Sequence, residues 1–181
     1  KLLRNGKRQV INIAFPGDLV GFPVTFLDRP IFSVLALTEC RFNACDLEAY
    51  AQLCLERPQF ALVLSWLAVQ GTVIYAEHSV DVGRRTPTER VAHFLLETHA
   101  RLAAINCAQA TKFELPFSQE IMADVLGLSV PHVNRVMHQL RAEKLISGRE
   151  RSIEFKDPDA LQTLAQYLPV RIVPISAALK R

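Results

Sequence analysis

Asn134 and Arg135, with His132 before them, are side chains able to hydrogen-bond the edges of base pairs. Arg reaches N7 and O6 of guanine with two donors, and Asn matches N6 and N7 of adenine. Val133, Val136, Met137 and Leu140 recur at three- and four-residue steps around them. That spacing predicts a helix with an apolar buried stripe, leaving His132, Asn134, Arg135, His138 and Gln139 facing outward.

Such a helix needs a partner to hold it. Residues 118–126 predict a shorter helix, capped by Ser118 and burying Met122, Ala123 and Leu126. Gly127 falls where the chain must turn and a left-handed conformation is easiest without a Cβ. Ser129 is placed to cap the second helix, and Pro131 lies in its first turn, where a missing N–H costs nothing. A small Ala123 at the crossing, Gly127 four residues later and β-branched Val133 and Val136 have the spacing of a helix-turn-helix unit. One detail is absent: Ile121 stands where a capping box would have Glu or Gln. An ordinary helical hairpin with a solvated polar face shares part of the pattern.

Residues 140–147 continue the helix and then leave it. Gly148-Arg-Glu-Arg151 makes a polar turn, and Ile153 and Phe155 alternate with Glu154 and Lys156. This predicts a hairpin, or wing, directly after the reading helix. Arg149 and Arg151 at its tip are candidates to lie against phosphate, together with Ser118, Gln119, Ser129, His138 and Arg141.

The chain has 181 residues, half of them hydrophobic, which allows one or two domains with real cores. A net charge of +3 excludes a histone-like polycation, so the argument for DNA rests on local clustering of Arg135, Arg141, Lys144, Arg149 and Arg151. No uninterrupted apolar run reaches the ~18 residues expected of a membrane span, and no signal peptide is seen, so a cytoplasmic protein without membrane partners is expected. The chain starts with Lys1-Leu-Leu rather than Met and enters a strand-like stretch almost at once, so preceding strands are expected. Cys40, Cys45, Cys54 and Cys107 form no C-x-x-C pair and have no His at zinc-finger spacing; they are expected to be buried, reduced thiols, and no metal is expected.

Residues 1–57 read as β-rich, with candidate strands at 9–15, 19–22, 32–37 and 41–45 and a turn at Pro16-Gly17-Asp18. They suggest part of a small antiparallel roll that about 55 residues do not close alone. Residues 58–83 turn helical. Phe60, Leu64, Leu67, Gly71, Ile74, His78 and Asp81 follow four–three spacing, a heptad seam that turns polar at its end, and a second apolar set lies beside it. This predicts a dimerisation helix built on Phe60, Leu64, Leu67, Gly71, Ile74 and His78; one core helix of a monomer is the alternative. Arg84-Arg85-Thr86-Pro87 breaks the helix, Thr86 or Thr88 caps the next, and Val91, Phe94, Leu95 and Leu102 form its buried stripe. The division is therefore 1–57, 58–83, a winged helix-turn-helix over 84–168, and a tail over 169–181, in an α+β chain.

Two other classes fit less well. An enzyme would need more than His93, Glu97 and His99 on one helix, for no phosphate loop, nucleophile elbow or paired-carboxylate site accompanies them. A protein-interaction module that has lost DNA binding is at odds with the presence of Arg135, Arg149 and Arg151.

The order and spacing of these motifs resemble the cyclic-AMP receptor/Fnr (Crp/Fnr) family of bacterial transcription regulators. The likeness runs through Gly6-Lys-Arg, Phe15-Pro-Gly-Asp-Leu-Val-Gly21, the long helix after Arg57-Pro58, Glu89-Arg-Val-Ala and the winged helix-turn-helix. It implies an N-terminal effector roll of the cyclic-nucleotide-binding type whose first strands precede this chain. It also implies a homodimer on a two-fold symmetric operator, with double-stranded DNA and RNA polymerase as partners. The departures are chemical. Where cyclic-AMP binders place Glu after the equivalent of Gly21 this chain has Phe22 and Pro23, and where they place Arg before a small residue it has Phe32 before Ser33. A buried phosphate without a cationic partner costs several kcal/mol, and Arg29 lies in the neighbouring turn, so cyclic AMP is not the expected effector. An iron–sulfur or haem sensor in the preceding segment, and a ligand-independent dimer, stay open; the cofactor is unassigned. Val130 and Pro131 replace the family's usual Arg and Glu at the start of the reading helix, so the half-site should differ, with Arg135 the reading arginine that remains.

Overall fold

The computed structural model describes residues 1–21 and 27–169. Phe22 and Pro23, and the tail from 170 onward, lie outside the described residues.

The elements in order are α1 (Leu47–Glu56), α2 (Pro58–Gly83), α3 (Pro87–Ala104), β1 (Lys112–Glu114), α4 (Gln119–Leu126), α5 (Val130–Ala142), β2 (Ile146–Ser147), β3 (Ser152–Phe155) and α6 (Pro158–Ala165). Local chemistry sets most of the boundaries. Asp46 caps α1 by accepting from the Ala49 amide at 2.7 Å. Thr86 caps α3 in a reciprocal box with Glu89: the Thr86 amide donates to Oε2 of Glu89 at 2.7 Å, and the Glu89 amide faces Oγ1 of Thr86 at 3.4 Å. Pro87 opens α3 where its missing N–H is harmless. Gln166 ends α6 in the left-handed region.

The core gathers α3 to α6 and a three-stranded antiparallel sheet of order β1-β3-β2, with Phe113 opposite Ile153 and Ile146 opposite Phe155. Leu95, Met122, Leu126, Met137, Leu140, Ile153 and Leu161 are fully buried at its centre. The expected buried stripes on α3, α4 and α5 are all in place. His99 closes the edge of this core against Phe113 and Phe155, with centroids 5.3 and 5.1 Å away.

The first segment differs from its expectation. Among the described residues of 1–46 there is no strand, only the isolated bridge Leu2–Arg8. A candidate strand forms a ladder only if another strand meets its donors. Here the Gln9 amide goes to the Lys1 carbonyl and the Val10 amide to the Asp124 carbonyl. Residues 47–56, read as the end of the β-rich part, are helical because Asp46 caps them. Val34, Leu35 and Phe42 are left exposed. So are Cys40, Cys45 and Cys107, while Cys54 is half-buried, so the expectation of buried thiols fails: Cys40 and Cys45 lie in a stretch without helix or strand, and Cys107 faces outward although its neighbours Ile105 and Ala108 pack against the core. The turn at residues 15–18 does form, with the Phe15 amide on Oδ2 of Asp18 at 2.8 Å.

The long helix also departs in part. Its 26 residues are long and apolar enough to cross a membrane by length and composition alone, although scattered polar residues interrupt the apolar run. The end of α2 belongs to the core side. Asp81 is buried and bonded to Arg85 at 2.8 Å, and Glu77 pairs with Arg85 at 2.8 Å and with His93 at 3.2 Å.

Candidate nucleic-acid interface

Ser118 accepts from the Ile121 amide at 3.4 Å and starts α4 without the help of a capping box. Gly127 ends it with φ 64° and ψ 32°, the left-handed turn for which glycine suits this position. The following Leu128 amide returns to the Ala123 carbonyl at 3.0 Å. Ala123 is buried on a helix that packs against α5.

Ser129 stands at the N-cap of α5, but its hydroxyl makes no capping bond. An N-cap side chain serves the second or third helical amide. Here the second position is Pro131, which has none, and the third, His132, donates to the backbone carbonyl of Ser129 at 2.9 Å. The Ser129 hydroxyl is therefore left to the surface, where it remains usable for another acceptor or donor.

On α5, Val133, Val136, Met137 and Leu140 are buried, Arg135, His138 and Gln139 are exposed, and His132 and Asn134 are half-buried. Gln139 is engaged within the chain, donating to Glu143 at 2.9 Å and meeting the Thr88 hydroxyl at 3.4 Å. Among the described residues, Arg135 has no ion pair or side-chain hydrogen bond, and the same holds for Arg149 and Arg151. Three unneutralised guanidinium groups next to a helix-turn-helix give this surface its positive character.

The wing is the turn between β2 and β3. Gly148 there takes φ +108°, and a Cβ on it would sit 2.0 Å from the Ser152 carbonyl oxygen. Arg141, expected to face phosphate, turns its Nε to the Gly148 carbonyl at 3.1 Å and so braces the wing against α5. Leu115 donates to the Arg151 carbonyl at 2.9 Å, holding the far side of the turn. The nearby Glu154 carboxyl is held below the usual carboxylate range, first by its hydrogen bond from Lys156 at 2.7 Å and then by that from Ser147. Its negative charge is thus offset beside a surface otherwise suited to phosphate.

The heptad positions divide. Leu64 is buried within the chain, while Phe60, Leu67, Gly71 and Ile74 are half-buried. His78 is not available to a seam: its Nε2 meets the Val125 carbonyl at 2.7 Å, because the end of α2 lies against α4. Exposed apolar side chains on α2 fall instead at Leu62, Val63, Val69, Val80 and Val82.

Several residues of the joint were not singled out by the sequence. Arg90 reaches the Leu126 carbonyl at 2.8 Å and the Arg85 carbonyl at 3.1 Å. Arg101 binds Oδ2 of Asp18 and the Ile13 carbonyl, both at 2.7 Å, and lies over the Phe15 ring. The T-x-x-E spacing at 86–89 selects Thr86 over Thr88 as the cap of α3, which begins beside this joint. Tyr167, set edge-on to His93, has its hydroxyl pushed up, mainly by burial and further by the charges of Glu97 and Glu77.

Residues 89–164 match the family model of the Crp-like helix-turn-helix domain. Over 91% of this chain and 68% of its own length, the nitrogen fixation regulation protein FixK of Bradyrhizobium diazoefficiens is 34% identical. The chain belongs to the Crp/Fnr family. The transcriptional activatory protein AadR of Rhodopseudomonas palustris is 31% identical over the same shares. In three dimensions the chain is similar to FixK2 from Bradyrhizobium japonicum, with a TM-score of 0.60 at 27% identity, covering 67% of this chain and 60% of that one. A CooA mutant from Carboxydothermus hydrogenoformans shares the fold, with a TM-score of 0.58 at 18% identity. A Crp/Fnr member of this kind is a DNA-binding transcription regulator and not an enzyme.

Proposed function

We propose that the protein acts as a homodimer on a two-fold symmetric operator, each copy laying α5 in the major groove. Arg135, Asn134 and His132 read base edges. Ser118, Gln119, Ser129, His138, Arg149 and Arg151 face phosphate, and Arg141 serves chiefly by bracing the wing. The observation that carries this reading is Arg135, exposed and without an ion pair among the described residues, on a helix whose opposite face is fully buried. The second copy docks along α2, whose apolar side chains remain exposed in one chain.

The output is transcriptional, through RNA polymerase in the cytoplasm; the name of AadR, an activatory protein, favours activation. The effector, if any, is not cyclic AMP. Phe32 supplies no charge, and Arg29 is solvent-exposed, 3.8 Å from Asp28, rather than turned toward an anion site. The test is selection of bound sites from random duplex DNA, followed by gel shifts at low and moderate salt. A palindromic site bound less tightly as salt rises is expected. Binding without sequence preference refutes base reading.

A further inference from the structure

The last turn of α4 collects bonds from three other parts of the chain. Its carbonyls have no partners within the helix and carry the negative end of the helix dipole, so they are ready acceptors. The Val125 carbonyl meets Nε2 of His78 at 2.7 Å and accepts from Nε2 of Gln9 at 2.9 Å. The Leu126 carbonyl accepts from Arg90, whose other nitrogen returns to the Arg85 carbonyl just past the end of α2. The Asp124 carbonyl accepts from the Val10 amide, and its carboxylate takes Nε of Arg8 at 2.6 Å.

Arg8 also reaches Glu120. Otherwise, among the described residues, every hydrogen bond from the N-terminal segment or α2 to the helix-turn-helix falls on Asp124 or Val125. The joint is tight: the gap lined by Ile13, Phe15, Ile74, His78, Phe94 and Arg101, among others, is about 10 Å³, barely room for one water. One turn later Gly127 passes the direction of α4 to α5. A small tilt at Asp124–Leu126 is therefore a tilt of the reading helix.

We propose that His78, Gln9 and Arg8 are positioning residues that fix the angle of the helix-turn-helix against α2, and thereby set the spacing of half-sites the protein accepts. In this role His78 presents Nε2–H to Val125. A change in the N-terminal segment acts at the same carbonyl as α2 does, which makes this turn the point where the two are added together. The inference rests on the dimeric reading above, since only a dimer has a spacing to choose.

The experiment uses the whole chain and a panel of palindromes with one fixed half-site and varied spacers around the ~10 bp of one helical turn. His78→Ala and Gln9→Ala are compared with wild type for dimerisation, half-site preference and spacer preference. The expected result is retained dimerisation and half-site preference, with discrimination between best and neighbouring spacers falling roughly thirtyfold, as for one hydrogen bond lost in each copy of the dimer. His78→Gln, whose amide can donate from a similar place, restores it. Gln9→Ala covers the case in which His78→Ala does not fold. Lower thermal stability with unchanged spacer discrimination overturns the proposal and leaves these residues merely structural. Failure of wild type to prefer any half-site, or to dimerise, shows as a separate result and overturns the underlying reading along with it.

Discussion

Replacing Gly148 by Ala tests whether the wing touches DNA. The new Cβ would lie 2.0 Å from the Ser152 carbonyl oxygen and 2.8 Å from its carbon, and both are backbone atoms that no rotamer change removes. A left-handed φ adds about 1–2 kcal/mol for a residue with a Cβ. The turn must therefore rebuild, while Ile146, Ile153 and Phe155 keep the strand bases in the core. Rebuilding breaks the Arg141 brace and displaces Arg149 and Arg151 together. Each phosphate contact contributes about 0.9 to the slope of log affinity against log salt, so losing two contacts from each copy of the dimer flattens it by about 3.6. Between about 50 and 200 mM salt, wild type then loses on the order of a hundredfold more affinity than the variant. Fluorescence anisotropy on a duplex carrying the selected site measures this directly. Arg149→Ala/Arg151→Ala should give the same flattening with little loss of stability, and half-site preference should be unchanged in both. A slope equal to wild type in the double variant would refute phosphate contact by the wing.

Arg135→Ala should cost about 1–3 kcal/mol at one base position of each half-site, seen in a binding-site selection, while the dimer sediments unchanged. Leu67→Glu should give monomers that no longer bind the palindrome; if it sediments as a dimer and Val69→Glu does not, the partner lies on the exposed Leu62–Val69 side. The raised Tyr167 hydroxyl means that folding favours its protonated form, so this stability is complete below the unfolded value near 10 and is lost as pH rises through the higher folded value. Tyr167→Phe should flatten that alkaline limb in urea titrations. Calorimetric titration with cyclic AMP should give no binding heat; micromolar binding lost in Arg29→Ala would show that the anion partner was misplaced.

The helix-turn-helix was legible because its determinants lie within a few residues of one another. Ser118, Gly127 and the three–four spacing of Val133, Val136, Met137 and Leu140 act through local backbone geometry and a single buried face. The wing was legible for the same reason, as alternation after a glycine turn. Ser129 shows the limit even there, since Pro131 and the His132 amide decide its cap and sequence proximity alone did not reveal it. The joint was not legible. His78 and Val125 are 47 positions apart, and Gln9 and Val125 are 116 apart. His78 fits a heptad by spacing, and only the packing of α2 on α4 turns it to a carbonyl. Asp81 and His93 are polar residues that sequence statistics place at the surface; they are buried because Glu77, Asp81, Arg85 and His93 meet one another across the α2–α3 break. The candidate strands of the first segment failed for the converse reason. Alternation offers a strand, but a ladder exists only where tertiary structure brings a second set of donors and acceptors alongside.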